Sequence, residues 1–164
     1  YMIIVLKDKH TLKVDDFDFK CSIGKNGKSA KKKEGDLKTP KGKYNLGDLY
    51  YRADRELKPQ TKLKCVIIKK NTVCCNDLRS KKNYNRILLN TKNFKHEILF
   101  RKDSKYDFVL PIEYNPKKIA GKGSCIFFHL TKNYNPTAGC IALKRKDFLI
   151  FLKLINTKTK ILIK

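Results

Sequence analysis

Tryptophan is absent from the 164 residues, methionine occurs once, and arginine appears six times against 33 lysines. So little arginine argues against a specific nucleic-acid reader, because base recognition and bidentate phosphate clamping favour that side chain. There is no run of 18 or more apolar residues, so no transmembrane segment is expected. The first apolar run, Met2–Leu6, is short and meets Lys7 too soon to be a signal-peptide core. No export signal is therefore expected within the chain, and whether a leader precedes Tyr1 stays open. The six cysteines (Cys21, Cys65, Cys74, Cys75, Cys125, Cys140) form no CxxC pair, and adjacent Cys74 and Cys75 suit a disulfide poorly. Ligand spacings for zinc are missing as well, so neither metal nor cofactor is expected.

What the chain has in excess is positive charge, +24 overall. It is lysine-rich and spread along the whole length, which reads as a solvated surface with a general attraction to polyanions. The size suits one domain, 1–164, with a core of its own, expected to be a monomer. Residues 2–6 and 11–14 read as a hairpin, and 17–23 alternate as a half-buried strand does. Residues 24–43, rich in Gly and Lys, read as a long surface loop. Strands are expected at 44–49, 65–68, 96–101, 106–110 and 160–164, with polar clusters at Cys74–Asp77 and Asn83–Arg86. Only 145–156 carries helical periodicity, its apolar residues falling at 148, 149, 151, 152, 154 and 155. The pattern predicts a mainly β domain of roughly ten short strands with one or two short helices.

Residues 124–143 concentrate the chemistry. An apolar run, Ile126-Phe127-Phe128, ends at His129; a polar loop follows, and Thr137-Ala138-Gly139-Cys140 opens a second run, Ile141-Ala142-Leu143. Two strands joined by such a loop are expected to lie antiparallel, placing the imidazole of His129 beside the thiol of Cys140. A thiol with a neighbouring base is the minimum equipment for nucleophilic catalysis. Gly139 permits a close backbone approach just before the sulfur. A lone Cys and His would more often be a buried core residue and a loop cap.

Several stretches, taken in order, carry a resemblance. They are Lys33-Glu34-Gly35-Asp36 with Thr39-Pro40-Lys41-Gly42-Lys43-Tyr44, then Tyr51-Arg52-Ala53-Asp54-Arg55 and Cys74 to Asp77. Tyr84-Asn85-Arg86, His96-Glu97, Tyr106-Asp107, Gly123-Ser124 leading to His129, and Thr137-Ala138-Gly139-Cys140 complete the series. The chain resembles the L,D-transpeptidase (YkuD-type) catalytic domain, and within it the compact single-domain proteobacterial branch. That resemblance implies a β-sandwich of curved mixed sheets and peptidoglycan stem peptides as donor and acceptor. It implies Cys140 as nucleophile, His129 as its base, and the Gly139–Cys140 backbone amides as oxyanion donors. It also implies an acceptor amine that resolves a thioester into a crosslink, in the periplasm on substrate grounds, with the cytoplasm as competitor.

Ala138 departs from the family pattern, which usually has a second histidine there, and the His129-to-Cys140 interval is shorter than usual. Asn85, Arg86 and His96 are candidates to complete the oxyanion site. Arg52, Arg55 and Arg86 are candidates for stem-peptide carboxylates. Asp77, His96 and Tyr106 are candidates to orient His129 or the acceptor amine, and Thr137 to hydrogen-bond the turn presenting Cys140. Two other readings stay open: an L,D-carboxypeptidase or related peptidoglycan hydrolase on the same scaffold, and a non-catalytic basic module for anionic polymers.

Overall fold

The computed structural model describes residues 2–90 and 93–164. The chain starts with β1 (Ile3–Leu6), β2 (Thr11–Val14) and β3 (Phe17–Lys20), followed by the two-residue strands β4 (Lys28–Ser29) and β5 (Thr39–Pro40). Next come β6 (Gly42–Asn45), β7 (Leu49–Tyr51), β8 (Cys65–Ile67), β9 (Thr72–Cys75) and β10 (Ile87–Leu89). The last part holds β11 (His96–Ile98), β12 (Phe108–Pro111), β13 (Phe127–Leu130), β14 (Ile141–Leu143), α1 (Arg145–Leu154) and β15 (Lys160–Ile163). A mainly β domain with one helix is what the patterning predicts.

Alternation sets the first sheet, ordered β3-β2-β1-β15-β6. Ile4 and Leu6 of β1, Leu12 and Val14 of β2, and Ile161 and Ile163 of β15 all point to one side and are buried. β1 and β2 pair antiparallel as the expected hairpin, while β15 returns parallel to β1. The second five-stranded sheet, β14-β13-β12-β7-β8, contributes Leu49, Phe108, Leu110, Phe128 and Leu130 to the same core. On α1, Phe148, Phe151 and Leu152 recur at helical spacing and fill the remaining space. Phe148 stacks on Phe108 and Phe151 packs against Phe128, with ring centroids 5.9 and 4.9 Å apart.

β13 is buried on both faces, so its four apolar or ring-bearing residues do two jobs. Phe128 and Leu130 enter the main core. The residues between them, Phe127 and His129, face the other way, with Phe127 in a second cluster with Val109, Tyr106, Cys74, Cys125 and Cys140. From the three-stranded sheet β10-β9-β11, Cys74 and Ile87 pack into that second cluster.

Three expectations change. β13 and β14 run parallel, with Phe128 opposite Ile141 and His129 opposite Ala142, not antiparallel. The connecting loop does not fold back as a hairpin because its backbone groups are taken by residues 22–25. Thr137 N–H donates to Ile23 O and Lys25 N–H to Thr137 O, carrying the chain back to the start of β13. Residues 24–43 are not simply a surface loop: Thr39 and Pro40 are buried in β5, and Lys32 is buried too. Cys74 and Cys75 are not part of a polar cluster but lie in β9, every residue of which is buried.

Candidate active site

The parallel register puts Cys140 level with Phe127, and His129 two residues further along the same face of β13. Cys140 Sγ accepts a hydrogen bond from Phe127 N–H at 3.3 Å and donates to Cys125 O at 3.4 Å. Burial pushes its thiol up to about 12, and Glu97 adds to that; the Phe127 amide, Lys105 and Lys32 pull the other way. His129 Nδ1 lies 2.9 Å from Leu130 O, so Nδ1 carries the proton and Nε2 keeps its lone pair. Nε2 is buried and has no hydrogen-bond partner. Burial holds the imidazole down to about 3, aided by Lys105 and Arg101 and opposed by the Leu130 carbonyl. Thiol and imidazole are therefore both neutral at rest.

Tyr106 joins them. Its ring is 5.4 Å from that of His129 and 5.8 Å from that of Phe127, and its hydroxyl donates to Glu97 Oε1. Burial first, then Cys140 and Glu97, push the phenol well above its ordinary value.

The turn before Cys140 is tightly specified. Thr137 Oγ1 donates to Cys140 O at 2.6 Å and accepts from Gly139 N–H at 3.0 Å, the turn-holding role expected of it. That commits the Gly139 amide, so the expected pair of oxyanion donors shrinks to the amide of Cys140. Gly139 sits at φ +138°, and a Cβ there would lie 2.8 Å from Lys38 O. Gly139→Ala should therefore cost about 1–3 kcal/mol through backbone strain and displacement of the Lys38 carbonyl. Denaturant unfolding checks this: an unchanged midpoint would mean that the turn relaxes freely.

Two clefts open near this centre. One, of about 740 Å³, is lined by His129, Thr137, Arg55, Lys102, Lys105 and Lys132, among others. The other, of about 630 Å³, is lined by Tyr50, Cys74, Asn85, Arg86, Ile126 and Phe127, among others.

A protein-family model for the L,D-transpeptidase catalytic domain (YkuD) matches residues 1–163. The chain belongs to that family. No match was found among curated protein sequences. Among solved structures, the helical cell shape determining protein Pgp2 from Campylobacter jejuni is similar at 20% identity and TM-score 0.54. It aligns over 99% of this chain and 47% of its own. Bd1075 from Bdellovibrio bacteriovorus aligns at 14% identity and TM-score 0.52, over 99% and 47%. At these identities the likeness shows the fold, and this L,D-transpeptidase domain spans about half the length of those proteins.

The domain brings only part of the expected residue set together. Cys140, His129, Gly139, Thr137 and Tyr106 converge. Arg52 does not reach a cleft: it is buried over the Phe100 ring, paired doubly with Asp54 and bonded to Arg101 O. Arg55 reaches the larger cleft but is held by Asp107 at 3.0 Å and by two carbonyls. Asp77 is a buried turn residue, its carboxylate spent on the Arg79 guanidinium and on the amides of Arg79 and Lys95. His96 turns to Phe94, its Nδ1 2.7 Å from that carbonyl. Asn85 acts at one remove, its Oδ1 accepting from Cys125 N–H and so fixing the residue whose carbonyl meets Sγ. Arg86 lines the smaller cleft, with Nε on Lys82 O.

Strand alternation explains one miss: with His96 turned to Phe94, it is Glu97, the next residue, that meets Tyr106. Glu34 is another, accepting from Tyr84 OH at 2.7 Å and Ser124 Oγ at 2.6 Å. Cys74–Cys125 form a disulfide, a pairing across 51 positions that no local spacing announces.

Proposed function

We propose that the domain is a cysteine acyltransferase acting on peptidoglycan stem peptides. The observation that carries this reading is a buried thiol and, two residues along the same face of β13, a buried imidazole whose Nδ1 is tied to a carbonyl and whose Nε2 is bare. Cys140 Sγ attacks the stem-peptide carbonyl while His129 Nε2 takes its proton. With both groups neutral at rest, attack and proton transfer occur together. Breakdown expels the terminal D-amino acid, whose amine receives that proton from His129, and leaves a thioester on Cys140. An acceptor amine attacking the thioester gives a crosslink and regenerates the thiol.

The amide of Cys140 faces the developing oxyanion, and losing one such donor typically costs about 3 kcal/mol. Lys102, Lys105 and Lys132 give the larger cleft a surplus of positive charge for stem-peptide carboxylates. Two clefts suit two peptides, donor and acceptor. The Cys74–Cys125 disulfide accords with an oxidising compartment such as the periplasm.

The test is incubation with disaccharide-tetrapeptide muropeptides, using the protein and Cys140→Ala, read by mass spectrometry. A dimer lacking one terminal D-amino acid, absent with the variant, is expected. Tripeptide without dimer would make the enzyme an L,D-carboxypeptidase, with water as acceptor. Equal product from the variant would remove Cys140 from the chemistry.

A further inference from the structure

Lysine side chains rarely lie inside a protein, yet that of Lys32 is 3% exposed. Its Nζ is 2.7 Å from Asp36 Oδ1 and 3.4 Å from Lys33 O. Two glycines make room for it. A Cβ at Gly139 would stand 3.5 Å from Lys32 Nζ, and one at Gly123 would stand 3.0 Å from Lys32 Cε. The ammonium thus passes between the segment leading to Cys125 and the turn that presents Cys140, one residue from the sulfur. Asp36 is in turn fixed by the amides of Lys33 and Lys38. Burial would raise that carboxyl, but Lys32 and these two amides outweigh it, so it stays ionised. The pair is held by the fold.

We propose that Lys32 is an electrostatic positioning residue for Cys140, a buried cation that stabilises the thiolate and the oxyanion formed beside it. Among the described residues, the ionisable groups around Cys140 and its turn are Glu97, Tyr106, His129, Lys105 and Lys32 with its partner Asp36. Glu97 opposes negative charge on sulfur, while the Tyr106 phenol and His129 are neutral. Lys105 is half-exposed at the cleft, its charge screened by water. Lys32 is the buried cation of this set: Asp36 offsets part of its field, and what remains reaches the turn without screening by water. It sits behind the turn and does not touch substrate. Where the usual family pattern has a histidine at position 138, this chain has exposed Ala138, and the positive charge comes from the protein side. The inference rests on Cys140 being the nucleophile.

The experiment follows alkylation of Cys140 by iodoacetamide, a neutral reagent insensitive to charge steering, with peptide mapping to separate Cys140 from Cys21, Cys65 and Cys75. Rates at fixed pH below the thiol's midpoint are proportional to the thiolate fraction. Lys32→Met should slow labelling about tenfold, the effect of a one-unit rise in the thiol's pKa, and Lys32→Arg should keep it within about threefold of the parent. A merely structural lysine would behave oppositely, since loosening the turn exposes the buried thiol and speeds labelling. Lys32→Met labelling as fast as the parent, or faster, overturns the proposal. Because labelling needs no turnover, it reads Lys32 independently of the muropeptide assay that decides the role of Cys140.

Discussion

Replacing either Cys74 or Cys125 by serine should lower the unfolding free energy by about 4 kcal/mol. The cross-link joins positions 51 residues apart, and chain-entropy closure of a loop that size is worth about that much. It ties β9, in the three-stranded sheet, to the residue whose carbonyl meets Cys140 Sγ. Hydrogen bonds from Cys125 N–H to Asn85, from Gly123 N–H to Tyr84 and from Ser124 to Glu34 serve the same region. Urea unfolding with and without reductant is the measurement. The parent under reductant should behave like the variants, and the Cys74→Ser/Cys125→Ser double variant should cost no more than either single change. Additive losses would mean that packing, and not the cross-link, carries the effect. Loosening Cys125 should also blur the Cys140 thiol's position, so activity should fall before the fold is lost.

The same disulfide shows what a sequence conveys and what it does not. Period-two patterning in Ile4, Leu6, Leu12 and Val14, and helical spacing in Phe148, Phe151 and Leu152, announce which side is buried, because that information is local. Cys140 and His129 were legible through their order and neighbours. Their relative placement was not. It depends on residues 22–25 capturing the loop backbone around Thr137, a contact across more than a hundred positions, which turns an expected antiparallel pair into a parallel one. Arginines are the instructive failures. The resemblance makes Arg52 a candidate for substrate carboxylates, but an aspartate two residues on is the nearer partner, and Arg52 spends its donors on Asp54 and Arg101 O. Lys32 errs in the other direction: amid Lys31 and Lys33 it reads as solvated charge, and only Gly123 and Gly139 reveal that a buried channel exists for it.

His129→Gln should leave the fold intact, lower turnover by about 10²–10⁴-fold, and change how stability responds to acid. The activity loss follows from removing the lone pair at Nε2, since the amide of Gln cannot accept the thiol proton. The acid response follows from burial, which holds the imidazole at about 3 against an ordinary value near 6.5. A depressed folded-state value means that the stabilisation is complete above about 6.5. It drains as pH falls toward about 3, because the unfolded chain binds the proton first. At about 1.4 kcal/mol per pH unit, the parent should lose roughly 2 kcal/mol from this group between pH 7.5 and 5. His129→Gln has nothing to titrate there, so subtracting its stability curve from the parent's should isolate a slope confined to that window. A flat difference would mean that the imidazole titrates in the folded protein as it does in the unfolded chain, so that burial does not hold it down. A slope of the opposite sign, with stability falling as pH rises above about 6.5, would mean a base charged at rest, and proton transfer from Cys140 would then precede attack through a preformed thiolate–imidazolium pair. Turnover and unfolding measured on one variant thus decide between concerted and stepwise activation of the thiol.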